Sequence, residues 1–134
     1  MNIDSIRDGL VTRLNTITGL RNHPRVPDLV DPPAAFVNVT GVTYGNTFNG
    51  ACTVRGEIVL VVARIDGNRG QENLDEYLNT SGVKSILAAV EGDLDLGGAV
   101  HSVAVLEAQD YGGSFLVGDI PYVGCRFIWE ALAL

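Results

Sequence analysis

The stretch that decides the fold is Cys52–Ile65, CTVRGEIVLVVARI. Its first half alternates polar and apolar residues, whereas Ile58–Val62 is apolar at every position. Since successive side chains of a strand point to opposite faces, both faces of this segment require cover. The even positions are expected to face the helices of the chain: Ile58, Leu60 and Val62. The odd positions are expected to meet a neighbouring subunit: Val59, Val61 and Ala63. The reverse assignment of faces would leave the same need for cover.

The length and composition predict one folded domain with a single core. The chain has 134 residues, of which 46% are hydrophobic and 19% are charged. Its formal net charge is −7, from 16 acidic and 9 basic residues. Such a surface repels phosphate backbones, so sequence-specific binding to nucleic acid is not expected.

The N-terminus and the cysteines give little sign of an export route. The first eight positions include charged residues where a signal peptide would need an apolar core, so secretion by that route is not expected. Apolar runs such as Ile58–Val62 fall far short of the roughly 20 residues that a membrane helix needs, so no membrane association is expected. Cys52 and Cys125 both fall in expected strands, where a small buried thiol is the ordinary interpretation. A disulfide remains open if the two strands are neighbours.

An amphipathic helix is expected at the start of the chain. Its apolar stripe recurs at spacings of three and four: Ile3, Ile6, Leu10, Leu14 and Ile17. Asp4 or Ser5 can cap its start, and Gly19 is placed to end it. The proline-rich segment 21–33 then excludes a helix and favours an extended connection.

The remaining pattern predicts an α+β single domain in the order α-β-β-α-α-β-β. Its mainly antiparallel, four-stranded sheet should carry the helices on one face. The expected strands are Ala34–Val42, Cys52–Ile65, Ala99–Ala108 and Tyr122–Leu132. The expected helices are Gln71–Leu78 and Val83–Glu91, the second with Ser81 as N-cap. The expected loops are Tyr44–Gly50, Asp66–Gly70 and Asp110–Pro121.

Residues that could carry chemistry are few. His23 and His101 are the two histidines, and nothing in the sequence places them together. Asp93 and Asp95 are alternate carboxylates that could bind a hard cation, but the rest of a calcium loop is missing, so a solvated turn is favoured. The common nucleophile, zinc and phosphate-loop motifs do not occur in the sequence. No catalytic residue, metal ligand or cofactor is therefore expected.

The loops instead carry candidate contact residues. Aromatic side chains in glycine- and asparagine-rich loops often anchor contacts between proteins, although they can equally fold back onto the domain's own core. The loop Asp66–Gly70 is expected to project as an interface or pore loop. The residues expected at a subunit or tube interface are Tyr44, Phe48, Val59, Val61, Asp66, Asn68, Arg69, Tyr111 and Phe115.

Three segments taken together resemble a known family. They are a proline-containing stretch (VPDLVDPPAAFVNV), a loop with a long strand (YGNTFNGACTVRGEIVLVVARIDGNRGQENLDEYL) and a helical segment with a strand (SGVKSILAAVEGDLDLGGAVHSVAVLEAQDYG). Preceded by the amphipathic helix, this order resembles the tail terminator proteins of long-tailed (siphovirus-type) bacteriophages, particularly those that infect actinobacteria. The resemblance covers nearly the whole chain and lies in segment order and small patches.

The resemblance implies a structural virion protein without enzymatic activity. Tail terminators form a ring, usually a homohexamer, at the head-proximal end of the tail. The ring stops polymerisation of the tail tube protein and joins head-completion proteins, and genomic DNA passes through its lumen. Assembly would take place in the host cytoplasm. An acidic subunit suits a lumen past which DNA slides without sequence-specific binding.

Two other interpretations stay open. The first is another head–tail connector, such as a stopper or head-completion protein, because these are similar in size and some share the fold. The second is a small ligand-binding domain or hydrolase. That interpretation requires a polar pocket with convergent titratable groups.

Overall fold

The computed structural model describes residues 1–45, 51–64 and 70–133 and shows an α+β fold. Five strands form one mixed sheet in the spatial order β1-β2-β3-β5-β4. Every neighbouring pair is antiparallel except β1 and β2, which are parallel. The elements in chain order are α1 (Ile3–Leu14), β1 (Arg21–His23), β2 (Ala34–Tyr44), β3 (Cys52–Arg64), α2 (Gly70–Leu78), α3 (Ile86–Glu91), a 3-10 turn (Leu96–Gly98), β4 (Ser102–Val117) and β5 (Ile120–Ala133).

The predicted class is confirmed, but the predicted four-stranded sheet is wrong in detail. The additional strand, β1, lies at the start of the proline-rich segment and ends directly before Pro24. It runs parallel to β2, with Arg21 opposite Ala34 and His23 opposite Phe36. A strand of three residues is too short to show the alternation on which sequence reasoning depends.

The last hairpin is also longer than predicted. Most of the segment expected to be the loop Asp110–Pro121 is strand, and β4 is interrupted by irregular pairing between Val105 and Glu107 and between Gln109 and Gly113. The chain reverses at Gly118 and Asp119, both with positive φ (57° and 69°). That geometry matches a two-residue turn, so glycines that indicated a loop mark an irregularity and a tight turn.

The helix caps differ from those expected by a few residues. The Asn2 side chain, rather than Asp4 or Ser5, caps α1 by accepting the N–H of Ser5 at 3.1 Å. Ser85, rather than Ser81, caps α3 by accepting the N–H of Ala88 at 3.1 Å. Both capping residues are of the types that helix starts prefer.

The larger core lies between the helices and one face of the sheet. The even positions of β3 belong to it, which confirms the expected assignment of Ile58, Leu60 and Val62 to the helical side. From β5 it receives Cys125, Phe127, Trp129 and Ala131, and from α1 it receives Ile6, Leu10 and Leu14. Helix α2 packs on β3, β5 and β4, and α3 packs on α1 and β4.

A second, smaller core covers part of the opposite face. It is formed by Ala34, Phe36, Val59, Val61, Val117 and Tyr122, with Val30, Phe115 and Ile120 packed against it. Val59 is 3% exposed and Val61 is 0% exposed. The prediction that a neighbouring subunit covers these two residues is therefore wrong, because the 24–33 connection and the tip of the β4–β5 hairpin supply the cover within the chain.

Candidate interaction surfaces

The residues considered for catalysis or metal binding do not converge. His23 lies on β1 and His101 directly precedes β4, and these two strands are the opposite edges of the sheet. Asp93 and Asp95 both accept the N–H of Gly97 at 3.1 Å, so they close the 3-10 turn. The hydrogen bond with Asp95 lowers the pKa of Asp93. Within residues 1–45, 51–64 and 70–133, no group of three histidine, cysteine or acidic side chains could hold a metal ion.

The two cysteines are separated along the sheet and form no disulfide. Cys52 of β3 lies opposite Ala133 of β5. Cys125 of β5 instead lies opposite Leu60, which is well along β3 from Cys52. Burial raises the pKa of the Cys125 thiol to about 11. Because the thiolate is the reactive species, Cys125 is a core residue and not a nucleophile at neutral pH.

One open groove lies between α1 and the turn that follows α3. It has a volume of about 530 Å³, and its lining includes Ser5, Asp8, Arg13 and Asp93. Two of these side chains serve the fold: Arg13 Nε donates to the carbonyl oxygen of Ala89 at 2.9 Å, and Asp93 binds the turn. These two side chains therefore hold α1 against α3 and close the turn, and we assign the groove no ligand.

The predicted aromatic contact residues do not form one surface. Tyr44 is exposed at the end of β2 beside Cys52, whereas Phe115 is half-buried on the smaller core at the opposite end of the sheet. The Tyr111 hydroxyl donates to Asp75 of α2, and this hydrogen bond raises the pKa of Tyr111. The other four candidates lie outside the described residues and stay predictions: Phe48, Asp66, Asn68 and Arg69.

Two exposed leucines mark a surface that sequence reasoning missed. Leu29 is 73% exposed and Leu116 is 72% exposed. Both lie near the β4–β5 turn, since Leu116 precedes Gly118 by two residues and Leu29 Cδ2 lies 3.8 Å from where a Cβ at Gly118 would be. We call this region, Leu29 with Leu116–Asp119, the turn end. The signal in the sequence was the position of the two leucines. Leu29 lies in the proline-rich segment, and Leu116 lies in the segment predicted to be a loop.

A polar network lies beside the smaller core on the face opposite the helices. Arg126 binds two carboxylates, donating from Nη1 to Glu57 at 3.4 Å and from Nε to Asp110 at 2.8 Å. Asn38 Nδ2 donates to Glu57 at 3.2 Å. The hydrogen bond with Asp110 raises the pKa of Arg126. This half of the face is adapted to water or to a polar contact.

Comparison with known proteins adds nothing to the resemblance found in the sequence. No protein-family model matches the chain. No curated protein matches its sequence. In the part of the chain that is described, the helices are too short or too polar to cross a membrane.

Proposed function

We propose that this protein is a structural virion subunit, a tail terminator. In this role a ring of subunits caps the tail tube, stops its polymerisation and joins it to the head-completion proteins. The observation that carries the proposal is the turn end, where Leu29 and Leu116 are both more than two-thirds exposed beside a packed apolar cluster. The family resemblance supplies the class of assembly.

The turn end favours assembly because it combines exposed apolar groups with a rigid base. Single exposed leucines are common on monomeric proteins, and the turn end is a candidate contact because two of them lie near the same tight turn. The turn is held from below by Val117 and Tyr122, which are buried in the smaller core. A partner that covers this end would therefore meet a preformed surface and pay little ordering entropy.

The net charge supports a ring that surrounds DNA rather than a protein that binds DNA tightly. The formal net charge is −7, so a ring of six such subunits would be strongly acidic. An acidic lumen repels the phosphate backbone, which lets DNA pass without being held. Closure of a ring requires two unlike surfaces on each subunit, and the turn end can be one of them.

A stopper or head-completion protein is the nearest alternative, and its partner distinguishes it. A terminator binds the assembled tail tube, whereas a stopper binds on the portal side. A ligand-binding domain or hydrolase would use the groove beside α1, yet Arg13 and Asp93 of that groove already bind the backbone of the fold.

The proposal predicts that Leu116→Ser weakens capping of the tube while leaving the fold intact, because Leu116 is exposed. Purified protein would be added to tail tubes of the same phage, and capped ends would be counted by electron microscopy. Val83→Ser is the matched control, since Val83 is 88% exposed on a different part of the chain. Wild-type protein that never binds tube ends, or equal capping by both variants, would contradict the proposal.

A further inference from the structure

The turn end combines exposed apolar side chains with exposed carboxylates. Leu29 and Leu116 are both more than two-thirds exposed. Asp28, which precedes Leu29, and Asp119, which belongs to the two-residue turn, are exposed as well. The carbonyl oxygen of Asp28 lies against Gly118, so the two acidic residues occupy the same turn as the two leucines.

The position of these groups is fixed by close packing between the 24–33 connection and the hairpin. Gly118 has a φ of 57°, and a Cβ at this residue would collide with the carbonyl oxygen of Asp28. Glycine therefore lets the connection lie directly on the turn. Asp119 also has a positive φ, 69°, a conformation that aspartate adopts more readily than most residues. A partner would meet these groups on a preformed backbone.

The carboxylates of Asp28 and Asp119 are not neutralised within the part of the chain that the structure describes. Neither residue takes part in an ion pair there. Arg64 lies one strand away, opposite Tyr122, and makes no described ion pair either. Acidic groups beside exposed apolar ones favour a partner surface that is aliphatic and basic.

A second copy of the chain is a poor partner for this end. Two turn ends that face each other would bring their carboxylates together, which is unfavourable. Among the described residues, the arginine and lysine side chains outside ion pairs are Arg7, Arg13, Arg55 and Arg64. Two of them lie on α1 and the others near the two ends of β3, so they do not form one cationic patch. The basic surface must therefore belong to another protein.

We propose that the turn end binds the tail tube protein through a surface that presents aliphatic side chains flanked by lysine or arginine. This inference rests on the tail terminator role, and it assigns the turn end to the tube rather than to the neighbouring subunit. Leu29 and Leu116 bury apolar area in the contact. Asp28 and Asp119 attract the basic groups and orient the approach, so capping of the tube is sensitive to salt.

The test removes the two charges and keeps the shape of the turn end. Asp28→Asn combined with Asp119→Asn preserves side-chain size, and asparagine also accepts the positive φ at position 119. The control combines Asp8→Asn on α1 with Glu107→Gln on β4, two exposed acidic residues away from the turn. Both double variants have the same formal net charge, so a difference between them reports the position of the charges.

Capped ends of tail tubes would be counted by electron microscopy over a series of protein concentrations, at about 50 mM and about 300 mM NaCl. At low salt, we expect the turn-end variant to need about fivefold more protein for half-maximal capping, and the control to match wild type. At high salt, we expect wild type and the turn-end variant to converge. Circular dichroism would show that each variant is folded.

The outcomes separate this inference from the tail terminator proposal. If Leu116→Ser impairs capping but the turn-end variant caps as well as the control, this inference is overturned and the terminator role stands. Wild-type capping that is independent of salt would overturn the inference in the same way. Wild-type protein that never binds tubes, or Leu116→Ser that caps like wild type, would overturn both.

Discussion

The two faces of the sheet are covered in different ways. The helical face packs against α1, α2 and α3 along its length and includes the largest buried side chain, Trp129. The opposite face has a small apolar cluster at one end and the Arg126 network beside it. Cover on the first face comes from whole helices, and on the second from one connection and one hairpin tip. A strand that is apolar on both sides therefore does not by itself imply a partner subunit.

The largest expected effect belongs to the helical face. Leu60→Asp should unfold the protein, because an unpaired charge in the larger core costs several kcal/mol, on the order of the whole stability. Circular dichroism and thermal unfolding would measure the loss. Leu116→Asp is the control, and it should remain folded because Leu116 is exposed. A folded Leu60→Asp variant would contradict the assignment of this face.

Gly56→Ala should give the next largest loss of stability. A Cβ at Gly56 would lie 2.5 Å from Trp129 Cζ2 and against the carbonyl oxygen of Asn38. Such overpacking costs about 2–3 kcal/mol of unfolding free energy. Denaturant unfolding would measure it. Gly41→Ala is the matched control, since its Cβ would meet only the flexible end of Arg55 at 3.4 Å. Equal stability of both variants would show that the Trp129 contact is not tight.

Val61→Ala tests whether the smaller core is closed within the chain. Val61 is fully buried there, so removing its methyl groups should cost about 1.5–2 kcal/mol in the isolated chain. Denaturant unfolding at low protein concentration would measure the cost. A change that appears only at concentrations where the protein associates would restore the idea that a neighbouring subunit covers this face.

Arg126→Gln should give the smallest effect of the four. The variant loses the contacts with Asp110 and Glu57, but Asn38 still donates to Glu57, so we expect about 1 kcal/mol or less. Its control is Arg21→Gln, which removes an exposed pair with Asp31 and should be near neutral. A loss for Arg126→Gln comparable to that of Gly56→Ala would mean that the polar half is as important as the core.

Sequence reasoning reached the class of fold and the side of β3 that faces the helices, because both depend on local periodicity. The helical stripe and the alternation in Cys125, Phe127 and Trp129 are visible within a few residues of chain. It missed β1, which is too short for a pattern, and it took the glycines of the last hairpin for a loop. It also could not find the turn end, since Leu29 and Leu116 are far apart in sequence.

The sequence by itself determined that Ile58–Val62 must be buried on both sides, because every position in that run is apolar. Only the tertiary structure decided what buries it. The helices cover one side, and the 24–33 connection and the β4–β5 tip cover Val59 and Val61 on the other. Periodicity is a property of neighbouring residues, whereas cover comes from segments that are remote in the chain. The number of buried faces could therefore be read from Cys52–Ile65, and the identity of their partners could not.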